Sequence, residues 1–228
     1  MLVGFDAKYK LNILTAHAFG VLLKPEQIFN YGIQTLTDED FQVAKEKGFK
    51  IKQVATAKKI DNSLCAFVMP QLISTSDKLY NVEEEYNAVV LKGAFADEQF
   101  FVGKGAGSFP TGSAVLSDVS ALTYNYKYEY KKYFQEDRPV FTNNVLIEVY
   151  VRYKREEDIL DLSFKEVHED YKSKGVNYKT GVVLLADLMT SKVATNPDVF
   201  VAKTASKEMK VKNIPTTESQ EPKVGELI

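Results

Sequence analysis

Asp6 and Lys10 stand four residues apart near the start of the chain, a spacing that puts a carboxylate and an amine on one face of a helix. By itself such a pair is a surface ion pair worth roughly 0.3–0.5 kcal/mol. Its neighbours give it a second reading. Gly4, just ahead of it, permits close approach of a ligand, and the pair borders an apolar stripe of Ala7, Leu11, Leu14 and Ala18, with Lys8, Asn12 and Thr15 off the stripe. A lysine in a dry cleft can exchange a proton with an alcohol near neutral pH, because burial lowers its pKa. A carboxylate at the helix start can receive a substrate ammonium.

The second candidate is Gly103-Lys104-Gly105-Ala106-Gly107, which follows a strand pattern and leads to Pro110-Thr111 at a helix start. A glycine cluster can be a tight turn and nothing more. It is not a P-loop, because Lys104 falls between glycines instead of before Ser or Thr. Three glycines ahead of a helix nevertheless expose backbone N–H groups at its positive end, where a phosphate, carboxylate or carboxamide can approach.

Other reactive residue types carry less. His17 and His168 have no Cys or carboxylate at ligand spacing, so no metal site is expected. The one cysteine, Cys65, lies in an apolar run from Leu64 to Met69 and reads as a small buried hydrophobe. Glu83-Glu84-Glu85 reads as a solvated acidic turn.

The elements that must position these residues follow from periodicity and punctuation. Asp6 to Leu23 has a helical pattern that Gly20 loosens or ends, and Thr37 to Lys47 is a second helix with Thr37 as N-cap and an acidic first turn. The pattern then changes to strands around Ile51 to Val54 and Leu64 to Leu72, joined by turn residues Lys58 to Ser63. Strands at Tyr86 to Leu91 and Glu98 to Val102 precede the glycine loop, and Pro110 to Leu122 is a helix. Tyr124 to Tyr133 suits an exposed strand or a charged helical extension equally.

A boundary is expected near residue 138, after Asp137-Arg138-Pro139. Beyond it come strands at Val145 to Tyr153, Thr180 to Leu185 and Val199 to Ala202, a strand or short helix at Phe164 to Lys172, and a short helix at Ala186 to Ser191. The expected organisation is a first domain over 1–137, a small α+β domain over 138–205 and a disordered tail over 206–228. The class is α+β, a mixed sheet with helices on one face followed by a small α+β unit.

At 228 residues, with 45% hydrophobic and 26% charged residues, the chain has the length and composition of a folded globular protein. A formal net charge of -2 argues against nucleic acid as a partner. No apolar run is long enough for a membrane span, and the first residues lack signal-peptide regions, so a cytoplasmic location is expected.

Taken in order, these residues resemble the C-terminal part of the catalytic domain of homoserine dehydrogenase. Gly4-x-Asp6-Ala7-x-x-Lys10-Leu11 looks like the family's G-x-D-A-x-x-K-L segment. Tyr31-Gly32-Ile33, then Asp40 and Ala44, then Gly48-x-x-Ile51-Lys52 follow the family's order, and Asn87-Ala88-Val89 looks like one of its strands. Gly103-x-Gly105-Ala106-Gly107-x-x-Pro110-Thr111 through Asp118 looks like its closing loop and helix. The resemblance spans residue 4 to about 123.

The resemblance implies interconversion of L-homoserine and L-aspartate 4-semialdehyde with NAD or NADP in threonine and methionine biosynthesis. Lys10 would be the catalytic proton donor and acceptor, Asp6 would hold substrate, and Gly103, Gly105 and Gly107 would lie near the cofactor. A homodimer is implied too. The family's N-terminal domain with a G-x-G-x-x-G turn, and its Gly-Thr-x-Asn-Tyr and Gly-x-x-Glu-x-Asp-Pro segments, have no counterpart in this sequence. Lys104 and Gly112 stand where proline and alanine are more usual. The cofactor would therefore be bound mainly by a domain absent from the chain, which would be inactive alone. The element order of 138–205 is compatible with an ACT-like ligand-binding module, as some relatives carry, and equally with a structural or dimerising role. The alternative to an enzyme is thus a non-catalytic amino-acid-sensing or dimerisation module.

Overall fold

The computed structural model describes residues 4–127 and 129–212. Helix α1 (Phe5–Phe19) is bounded by two glycines in the left-handed region, Gly4 at φ 76° and Gly20 at φ 70°. Gly20 ends the helix short of Leu23 by turning its N–H onto the Ala16 carbonyl at 3.1 Å. The buried face of α1 also differs from the expected stripe: Lys8, Leu11, Thr15 and Ala16 turn inward, while Leu14 is half exposed.

A short 3-10 turn (Pro25–Gln27) leads to β1 (Phe29–Asn30), and α2 (Asp38–Glu46) starts where its capping residues place it. Asp40 reaches back to accept from the Thr37 N–H at 2.9 Å and the Thr37 hydroxyl at 3.0 Å. Strands β2 (Phe49–Ile60) and β3 (Ser63–Ser74) then form a long antiparallel hairpin whose turn is only Asp61-Asn62, with Asp61 at φ 53°. β3 is buried on both faces. Its Ala66 and Val68 pack with Leu11 of α1, and Cys65, Phe67 and Met69 belong to the larger core cluster that includes Ala44 of α2. The α+β class with a mixed sheet stands, and the helices divide between the two faces of β3.

The chain next forms a separate two-stranded sheet, β4 (Tyr86–Lys92) with β5 (Glu98–Lys104), followed by α3 (Ser108–Leu122). The tyrosine-rich stretch after α3 is neither of the expected alternatives in its described residues: it contains a 3-10 turn (Lys131–Phe134) that packs on the end of α1. Lys132 Nζ donates to the Ala18 carbonyl at 2.8 Å, and a Cβ on Gly20 would come within 2.2 Å of the Lys132 carbonyl oxygen. The glycine is thus required both by φ and by this contact.

The C-terminal elements are β6 (Val140–Phe141), β7 (Val145–Tyr153), β8 (Phe164–Lys172), β9 (Asn177–Leu184), α4 (Leu185–Thr190), β10 (Phe200–Lys203) and β11 (Lys210–Val211). They do not close into a sheet of their own. β2 fills one edge of β3, and β6, β1 and β10 share the other edge in series, all parallel to β3. From β10 the sheet continues antiparallel through β7, β9 and β8, nine strands among the described residues. One sheet therefore joins strands from either side of residue 138. β11 also corrects the expectation of a disordered tail from 206, since Lys210 and Val211 pair with Leu146 and Val145. Residues 213–228 of that tail lie outside the described residues.

Buried polar contacts tie the two halves together. The Asp40 carboxylate accepts from the Tyr150 hydroxyl at 3.0 Å and from Arg152 Nε at 3.0 and 3.1 Å. Arg152 spends its other donors on the carbonyls of Thr35 at 2.6 Å and Asp198 at 3.1 Å. Tyr31 adds a second tie, its hydroxyl donating to the Val199 carbonyl at 3.2 Å and accepting from the Val201 N–H at 3.3 Å.

Candidate active site

α1 brings Asp6 and Lys10 together as the spacing requires, Nζ to carboxylate oxygen 2.8 Å, on the face of the helix turned away from the sheet. Both side chains are about 60% exposed, Lys10 at 62% and Asp6 at 58%. The same side of the helix carries Phe5, Tyr9 and Ile13 at successive four-residue steps, and all three are half exposed. Together with Leu14 they form an apolar border around the ion pair that sequence reasoning missed, although the i, i+4, i+8 spacing is plain in retrospect.

Gly4 has a different job from the one its position suggests. A Cβ there would meet Asn30 Oδ1 at 2.7 Å and Gln53 Nε2 at 3.0 Å, so the close approach it allows is to β1 and β2. Gln53 in turn donates to the Tyr31 carbonyl at 2.8 Å, which ties β2 to the end of β1 beneath Gly4.

The glycine loop sits at the end of the β4–β5 sheet, on different elements from Asp6 and Lys10. Its three glycines are not equivalent. Gly103 is the last but one residue of β5 and has open space where a side chain would stand. A Cβ on Gly105 would lie 1.6 Å from Asn87 Nδ2, so that residue makes room for the Asn87 side chain. Gly107 is the N-cap of α3 at φ 116°, and no side chain caps the helix, which leaves its first N–H groups available to an anion. Lys104 is drawn aside by Glu85 at 2.8 Å and lies over the Tyr86 ring at 5.6 Å, and this pairing holds the Glu85 carboxyl below its usual range.

The surface around the loop is apolar. No residue of α3 is buried, and Phe109, Val115, Leu116, Val119 and Leu122 are all more than half exposed. Val89, Leu91, Phe101 and Val102 of the hairpin are about half exposed. A two-stranded sheet open on both faces is marginal by itself in water.

Elsewhere, reactive groups are tied up in structure. Burial pushes the Cys65 thiol up to about 12, far from a thiolate nucleophile. His168 pairs with Glu148 at 3.2 Å, and that carboxylate raises its pKa. Among the described residues no group of three or more His, Cys, Asp or Glu side chains could hold a metal ion, and no helix is long and apolar enough to cross a membrane.

Comparison with known proteins covers the same ground. The sequence model of the homoserine dehydrogenase family matches residues 2–120, more than half of the chain. The homoserine dehydrogenase of Lactococcus lactis is 34% identical over 116 residues, 51% of this chain and 27% of that protein. That of Helicobacter pylori is 38% identical over 116 residues, 51% of this chain and 28% of its own length. Among solved structures, a homoserine dehydrogenase from Thiobacillus denitrificans superposes with a TM-score of 0.65 at 26% identity, covering 89% of this chain and 53% of that one. The Staphylococcus aureus homoserine dehydrogenase gives 0.59 at 25% identity, covering 89% and 52%. The match thus spans about a quarter of the curated relatives' length and about half of the solved chains. The class is a mixed-sheet fold shared with oxidoreductases. The chain belongs to the homoserine dehydrogenase family.

Proposed function

We propose that this chain supplies the substrate-holding and proton-moving part of an NAD(P)-dependent homoserine dehydrogenase, interconverting L-homoserine and L-aspartate 4-semialdehyde. One observation carries this most directly: the Asp6–Lys10 pair, at 2.8 Å, lies on an open helix face bordered by Phe5, Tyr9 and Ile13, within the segment that the family model matches. Both side chains are exposed and so open to a ligand.

The nicotinamide, when bound, supplies or takes the hydride. Lys10 Nζ would give a proton to the substrate oxygen during reduction and take it back during oxidation. Asp6, released from Lys10, would hold the substrate ammonium, fixing the carbon to be reduced beside Lys10. Covering the border of Phe5, Tyr9, Ile13 and Leu14 would exclude water and strengthen both interactions.

The glycine loop fits a dinucleotide on its open positions. Gly103 and Gly107 leave backbone exposed beside the uncapped start of α3, and Gly105 shapes the loop by yielding to Asn87. Most of the dinucleotide would be held by a unit outside residues 4–212, seated on the apolar faces of α3 and the β4–β5 hairpin. Residues 4–212 would then be inactive without it. A cytoplasmic homodimer completes the proposal.

In the assembled enzyme, substrate-dependent oxidation of NADH or NADPH should be measurable with L-aspartate 4-semialdehyde. Asp6→Asn should raise KM for that substrate by at least about tenfold, the scale of one lost charge-assisted contact. Absence of turnover with this aldehyde would remove the assignment, and an unchanged KM would remove Asp6 from substrate binding.

A further inference from the structure

An open cavity of about 460 Å³ lies between α2, the start of β2 and the 3-10 turn at Lys78–Asn81, and no residue of α1 or of the glycine loop lines it. That volume is within the range of small-molecule sites. Its walls divide by chemistry. Phe41, Phe49, Ile51 and Tyr80 supply an apolar surface, and Lys45, Lys50 and Lys52 supply charge. Gly48, at the turn from α2 into β2, has open space where a side chain would stand and keeps the mouth clear.

Lys50 and Lys52 differ in state. Lys50 is satisfied, paired with Glu83 and lying 4.4 Å from the Tyr80 ring centroid. Lys52 is partly buried and donates to the Val82 carbonyl, and among the described residues no carboxylate forms an ion pair with it. Burial, and then the like charge of Lys50, hold its pKa below the ordinary lysine value, with the Glu83 carboxylate that pairs with Lys50 opposing them only in part. A partly desolvated cation facing an apolar cavity is stabilised by whatever anion enters. Among the described residues no carboxylate lines the cavity, and the nearby Glu83 is already taken by Lys50, so a zwitterion would find no free partner for its ammonium there. Phe41, at 49% exposure, offers an aromatic surface to a ligand.

We propose that this cavity binds a small amphiphilic anion, an aryl or branched-chain carboxylate whose head pairs with Lys52 and whose apolar body lies against Phe41, Phe49 and Tyr80. The ligand is distinct from the substrate assigned above, and the site stands whether or not that assignment does.

Calorimetric titration of the full chain with 3-phenylpropanoate tests it, with 3-phenylpropan-1-ol and acetate as controls. The acid should bind, and both controls should bind at least about tenfold more weakly, because each lacks one of the two contacts. Lys52→Met should abolish binding and Lys52→Arg should retain it, with circular dichroism confirming the fold of each. Phe41→Ala, at an exposed position, should weaken binding even if Lys52→Met proves unstable. Four results would each overturn the proposal: no heat with wild-type protein, equal binding of the alcohol, equal binding of acetate, or wild-type affinity in either folded Lys52→Met or Phe41→Ala.

Discussion

At the scale of single residues, charge buried inside the fold has more consequence for stability than charge at the candidate site. Asp40 is fully buried and neutralises Arg152, so Asp40→Ala leaves a buried guanidinium without its counter-ion. We expect a loss of about 3–5 kcal/mol in urea unfolding, and a loss under about 1 kcal/mol would contradict the role given to this pair. Lys203 of β10 is 6% exposed and donates to the carbonyls of Thr204 and Ser206. Burial, then the charge of Lys58, lowers its pKa from 10.5 to about 8. The unfolded chain therefore binds this proton more tightly, and stability rises as pH increases through the interval between those values. The full effect is on the order of 3 kcal/mol. Unfolding free energies of wild type and Lys203→Met should diverge in favour of wild type from pH 8 towards 10, and parallel curves would contradict the burial argument. Asp6 and Lys10 are legible in the sequence because helix geometry converts four residues into one face. The burial of Lys8 between them is not, since it depends on where the sheet lies relative to α1.

At the scale of elements, legibility follows the amount of local information. α2 can be read from Thr37, Asp40 and the acidic first turn, and β7 from the alternation over Val145 to Tyr153. β1, β6 and β11 cannot, because each has only two residues and exists through pairing with distant strands. Gly20 shows both levels in one residue: its type announces the end of α1, while its contact with Lys132 is a tertiary fact. Gly20→Ala combines strain at φ 70° with a clash at 2.2 Å against backbone. We expect a cost of about 1–3 kcal/mol, together with faster hydrogen exchange at the Gln135 amide, which bonds to the Lys132 carbonyl. Unchanged exchange there would mean that the 3-10 turn does not depend on the glycine.

At the scale of the whole molecule, the break in composition near residue 138 is a loop, yet β3 carries β1 and β2 from before it and β6 and β10 from after it. Local patterning identifies strands and is silent about which of them share an edge. The apolar faces of α3 and the β4–β5 hairpin should make residues 4–212 self-associate in proportion to concentration. Leu116→Glu, at a position 68% exposed, should reduce that association in sedimentation velocity without loss of helicity. A monomer at all concentrations would show that these faces are not sticky in water. The central claim concerns Lys10 as the group that moves the proton. Its most direct test is kcat of Lys10→Ala for L-aspartate 4-semialdehyde in the assembled enzyme. A fall of about 10²–10⁴-fold with the fold intact is the predicted result, and near-normal turnover would contradict it.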